Sequence, residues 1–136
     1  MYKWLKDYQK LEDDLAYLEF NLEQTERELK RWVEGDLVGV RLQHDSLGAQ
    51  VEENIEKIKN DIATKTDQKE KIIKLVNTFR GLNHKILKLK YIDGHTLEEI
   101  AEILNYSSSH IKKRHAEAVR TIKFINDYKG SVKEHS

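Results

Sequence analysis

With 136 residues, 35% of them charged and 38% hydrophobic, the chain has room for one domain, or a small domain and an extended arm, and an enzyme core around a deep pocket is not expected at this size. Zero cysteines exclude a disulfide framework and a thiolate zinc site, and no apolar run approaches the roughly 20 residues that span a bilayer. The 24 Lys+Arg and 24 Asp+Glu cancel, yet the charge is graded: residues 1–36 carry −4, residues 37–79 carry 0 and residues 80–136 carry +4. Proline is absent, and the composition suits solvent-bathed helices better than a wide buried sheet. The expected fold class is all-α. With no charged-then-apolar leader visible, a cytoplasmic protein is expected.

In chain order, Trp4, Tyr8, Leu11, Leu15, Leu18, Leu22, Thr25, Leu29 and Trp32 alternate four and three residues apart, with Thr25 the one polar member. That spacing predicts a heptad-patterned helix over about 2–33. Glu34, Gly35 and Asp36 end it, since Gly35 tolerates the left-handed conformation of helix ends. A connector follows to Gly48. The series Val51, Ile55, Ile58, Ile62, Lys65, Lys69, Ile72, Val76, Phe79 then predicts a second helix over about 49–79, with two lysines as a polar gap in its seam. Matched lengths predict a long N-terminal antiparallel helical hairpin, coiled-coil-like, over residues 1–80. Each helix offers only a narrow stripe, so a homodimer through these helices, or another protein partner, is expected to complete the arm.

Gly81 is the expected hinge into a compact domain over residues 81–128. Ile86, Leu87, Leu89 and Ile92 supply the face of a short helix that ends at Asp93-Gly94. Thr96 and Glu99 have capping-box spacing, where each side chain satisfies the other residue's free backbone N–H. The helix they open buries Leu97, Ile100, Ala101 and Leu104. Asn105 tolerates positive φ and serves the turn, and Ser107 caps a last helix that buries Ile111, Ala118, Val119, Ile122 and Ile125. Residues 129–136 are expected to be a flexible tail.

Two short helices joined by a tight turn, the second serine-started and basic, outline a helix-turn-helix that meets double-stranded DNA. In such a motif the first residues of the second helix reach base edges, while flanking cations and N–H groups hold phosphates. With Ile111, Ala118 and Ile122 inward, Ser109, Lys113, Ala116 and Arg120 fall on the opposite side. The DNA-binding set read from this pattern is Ser107, Ser108, Ser109, His110, Lys112, Lys113, Arg114 and Arg120. Ser108, Ser109 and Lys113 are assigned to bases, and Lys112, Arg114 and Arg120 mainly to phosphates. His115, on the inward stripe, reads as a hydrogen-bonded core histidine. No H-E-x-x-H pair, phosphate-cradling glycine loop or G-x-S-x-G elbow occurs, so no metal, cofactor or catalytic residue is expected.

The residues KLKYIDGHTLEEIAEIL and NYSSSHIKKRHAEAV make the segment from Leu82 to Ile122 resemble region 4 of bacterial sigma factors. Behind a heptad-rich N-terminal half, that module gives a layout similar to phage late-gene transcription regulators of the ArpU and RinA type. The resemblance implies a DNA-binding transcription regulator, an activator at phage or prophage promoters in a bacterial host, with bacterial RNA polymerase as a further partner. Three positions depart from the pattern: Asn105 for glycine, Tyr106 for valine or isoleucine, and Arg114-His115 for one large aliphatic residue. The last departure implies a recognition helix with a weaker apolar anchor. Two other readings stand beside this one. One is a protein-interaction module with a sigma-like fold that binds polymerase or another regulator without reading DNA; the other, minor, is a small terminase subunit.

Overall fold

The computed structural model describes residues 2–33 and 41–135, and among them every element is helical. A 3₁₀ segment, Tyr2–Asp7, leads into α1, Tyr8–Val33. Next comes α2, Arg41–Thr78, so the second half of the expected connector is already helix; residues 34–40 lie outside the described residues. The short helices are α3, Gly81–Leu87, continued by a π-turn, Lys88–Ile92, and α4, Leu97–Leu104. The last helix, α5, is Ser108–His135, which carries the backbone of the expected tail to His135 as helix.

The chain divides into two compact units: residues 1–10 with 69–136, and residues 11–68. This differs from a division at residue 80, because the first ten residues and the end of α2 belong with the C-terminal helices. The charge follows the units closely. The C-terminal unit holds 17 Lys+Arg and 9 Asp+Glu, net +8, and the hairpin unit holds 7 and 15, net −8.

In the hairpin unit α1 and α2 run antiparallel, with Asp14 beside Lys65 at one end and Leu29 and Val33 beside Ile55 and Lys59 at the other. Leu11, Leu15, Val51 and Ile55 are buried, whereas Leu18, Leu22, Leu29, Ile58 and Ile62 are only half-buried, as expected where two narrow stripes meet alone. The Trp32 side chain lies outside the described residues. Lys65, one member of the polar gap, lays its ammonium 3.6 Å from the Asp14 carboxylate, both about a third exposed. Such a pair contributes at most about 1 kcal/mol.

In the C-terminal unit, Ile86, Ile100, Ala101 and Ile111 form a buried cluster with Leu82, Leu89, Leu97 and Leu104 packed around it. Ile72 and Val76 of α2, Leu5 of the 3₁₀ segment, and Ala118 and Ile122 of α5 are also buried. The second lysine of the polar gap, Lys69, stands 5.6 Å from the Tyr8 ring centre, a cation–π contact within this unit. Leu5 is off the heptad phase, yet it is fully buried. A 3₁₀ segment has about three residues per turn, so its inward positions differ from those of an α-helix. The N-terminal residues also hold the turn before α4: Gln9 Nε2 donates to the Ile92 carbonyl. Gly94, at φ +82°, lies against the same Gln9 side chain.

The helix-turn-helix is built by local chemistry. The Thr96 hydroxyl accepts from the Glu99 N–H at 3.2 Å, and the Glu99 carboxylate accepts from the Thr96 N–H at 2.9 Å, which completes the capping box. At the other end of α4, Asn105 sits at φ 60°, ψ 43°. The Tyr106 N–H donates to the Ala101 carbonyl at 3.0 Å and the Asn105 N–H to the Glu102 carbonyl at 3.3 Å. That pair is the Schellman arrangement, with asparagine in the left-handed position glycine usually takes.

Candidate nucleic-acid interface

The opening of α5 is fixed by Ser107, whose hydroxyl accepts from the His110 N–H at 3.2 Å while its carbonyl accepts from the Ile111 N–H at 3.1 Å. Ile111, Ala118 and Ile122 then point inward and are fully covered. At 3.6 residues per turn the opposite side carries Ser109, Lys113, Ala116 and Arg120, and all four are exposed. Lys123, one turn past Arg120, is exposed beside them. The stripe therefore offers a hydroxyl, a methyl and three cations on a unit of net charge +8, which draws polyanions over distances beyond direct contact.

The remaining members of the expected set are placed differently. The Ser107 hydroxyl is engaged as the cap, and Ser108 is half-buried. His110 is half-buried with its ring against exposed Tyr106, centroids 5.1 Å apart and planes 28° from parallel. Lys112 is exposed but has its ammonium 3.3 Å from the Glu98 carboxylate on α4. Glu98 is held below the usual carboxylate range first by a backbone N–H and then by Lys112. Arg114, expected at a phosphate, is half-buried and its Nε donates to Asn83 Oδ1 on α3 at 3.0 Å. Two of the expected phosphate contacts thus also tie α5 to α3 and α4.

The weaker apolar anchor expected at Arg114-His115 is offset by hydrogen bonds. The Tyr91 hydroxyl and His115 Nε2 lie 2.7 Å apart, and Tyr91 is buried. Tyr91 lies in the π-turn four residues after fully buried Leu87 and is itself buried on the inward side. Burial, then the positive charges of Lys90 and Lys6, pushes the His115 imidazole below its ordinary value. The neutral ring and the Tyr91 hydroxyl share this hydrogen bond, its direction set by the imidazole tautomer. A histidine whose folded value is depressed contributes its full stability above its unfolded value, near 6.5, and loses it as pH falls toward the folded value. Wild-type protein should therefore lose more stability between about pH 7.5 and pH 5.5 than His115→Gln, as read from urea midpoints at the two pH values. Equal losses would show that the ring titrates alike folded and unfolded.

Among the described residues no group of acidic or histidine side chains has metal-binding spacing, and no helix is long and apolar enough to cross a membrane. Sequence periodicity missed Lys123, although its spacing from Arg120 was available, and missed Asn83 and Tyr91, whose partners on α5 are distant in sequence. No curated protein and no solved structure matches the chain. Residues 82–123, from α3 through most of α5, match the family model described as Sigma-70, region 4, so over that segment the chain is similar to a DNA-binding domain of the helix-turn-helix type.

Proposed function

We propose that this protein is a transcription regulator that binds duplex DNA by laying the first turns of α5 in the major groove. Ser109 and Lys113 meet base edges, with lysine favouring guanine O6 and N7, and Arg120, Lys123 and Lys112 meet phosphates. The observation that carries this reading is the exposure of Ser109, Lys113 and Arg120 along one side of α5, with Ile111, Ala118 and Ile122 covered behind them. Ser107 and Arg114 serve chiefly as cap and anchor in this reading. The similarity to Sigma-70 region 4 supports DNA, and RNA polymerase in general terms, as partners. The layout of a heptad-rich arm followed by this module supports the role of a phage or prophage late-gene activator working in the bacterial cytoplasm. The arm then provides a contact to a second copy or to RNA polymerase.

Genome-wide capture of DNA with the purified protein tests the proposal. Enrichment of a recurring site upstream of genes supports it, and recovery of fragments without sequence preference contradicts it. The internal engagement of Lys112 and Arg114 favours a second reading, a sigma-like module that grips a protein without reading DNA. A partner retained after nuclease treatment, with no footprint on any duplex, would support that reading.

A further inference from the structure

Among the described residues, each of the two units exposes a pair of aromatic side chains within a field of one sign. On α1 of the hairpin unit, Tyr17 and Phe20 are 75% and 62% exposed. They are three residues apart and hence neighbours, on the side away from the Leu11 and Leu15 seam, with exposed Asp13 and Glu23 beside them. On α5 of the C-terminal unit, Phe124 and Tyr128 are 70% and 64% exposed, four residues apart, next to exposed Arg120 and Lys123. Two hairpin units placed side by side would bring together two bodies of net charge −8, whereas a hairpin unit against a C-terminal unit joins −8 to +8. Electrostatic complementarity of this kind selects partner and register, and exposed aromatic pairs supply the apolar centre that charge alone lacks.

We propose that the hairpin unit of one copy docks, through Tyr17 and Phe20 and their acidic flank, on the Phe124 and Tyr128 side of α5 of a second copy. The reciprocal contact closes a two-fold dimer. Because Arg120 lies in both this contact and the proposed DNA-facing stripe, self-association and duplex binding exclude each other. The acidic hairpin acts as a stand-in for DNA that keeps the reader from weak, non-specific sites. The exclusion, unlike the docking, rests on the DNA-binding reading above.

The test is the mass of the full-length protein in solution, by sedimentation equilibrium, at about 50 mM and about 500 mM salt, where screening differs several-fold in range. A dimer at low salt and a monomer at high salt is expected. Tyr17→Ser with Phe20→Ser, and separately Asp13→Lys with Glu23→Lys, should each raise the dimer dissociation constant at least about tenfold, equivalent to about 1.4 kcal/mol. All four positions are exposed, so helical content by circular dichroism should match wild type. Adding a duplex of about 20 base pairs should convert the dimer into DNA-bound monomer. A monomer at low salt, or a dimer that survives high salt or both double substitutions, overturns the docking. A salt-sensitive dimer that a duplex leaves intact supports the docking and counts against this face as the DNA site.

Discussion

Leu5→Ala is expected to destabilise the C-terminal unit by about 2 to 5 kcal/mol, although Leu5 lies more than 70 residues before the segment that resembles sigma region 4. The side chain is fully buried, and the 3₁₀ segment that carries it packs against α5. Truncation removes apolar area and leaves a cavity, because neighbours on rigid helices relax only in part. Against a total stability of roughly 5 to 15 kcal/mol, the loss is large. Urea unfolding followed by fluorescence, with half-buried Trp4 in the same segment as a reporter, measures it. Lys10→Ala, at an exposed position of the same unit, is the control and should stay within about 0.5 kcal/mol of wild type. If Leu5→Ala behaves like the control, the N-terminal residues are not part of this unit's core.

The second large effect concerns the stripe itself. Lys113→Glu should weaken binding to a preferred site by about 10-fold to 100-fold and flatten the preference among related sites, because a base-edge contact is lost and a carboxylate is brought toward the groove. Arg120→Glu should weaken all sequences to a similar degree and reduce the slope of log affinity against log salt by about 1, as a lost phosphate contact does. Fluorescence anisotropy with matched and scrambled duplexes at several salt concentrations separates the two patterns. If both substitutions leave affinity and salt slope unchanged, α5 does not meet DNA with this side.

What could be read from the sequence was what local chemistry decides. Thr96 with Glu99, Asn105 and Ser107 each act on backbone groups within five residues, so spacing alone identified the cap, the left-handed turn and the next cap. The inward set Ile111, Ala118 and Ile122 followed from the helical period, and with it the outward set Ser109, Lys113 and Arg120. Periodicity failed where the period itself changes. Leu5 sits in a 3₁₀ segment, and an α-helical template in phase with Trp4 and Tyr8 misplaces it. Contacts that close long loops were also beyond it: Gln9 with Ile92, Arg114 with Asn83, and His115 with Tyr91. The charge gradient was visible but blunted, because cuts at residues 36 and 80 assigned Lys3, Lys6 and Lys10 to the acidic arm although they belong to the basic unit.

The absence of cysteine makes the decisive measurement clean, since a single introduced thiol is the only site for a tethered DNA-cleaving reagent. Ser109→Cys on the exposed stripe of α5 should direct cleavage to a few adjacent base pairs of a bound duplex. The same reagent at Glu102→Cys, on the exposed acidic side of α4, should cut weakly and without focus. Focused cleavage from Ser109→Cys would place the start of α5 in a groove; equal, diffuse cleavage from both positions would contradict it.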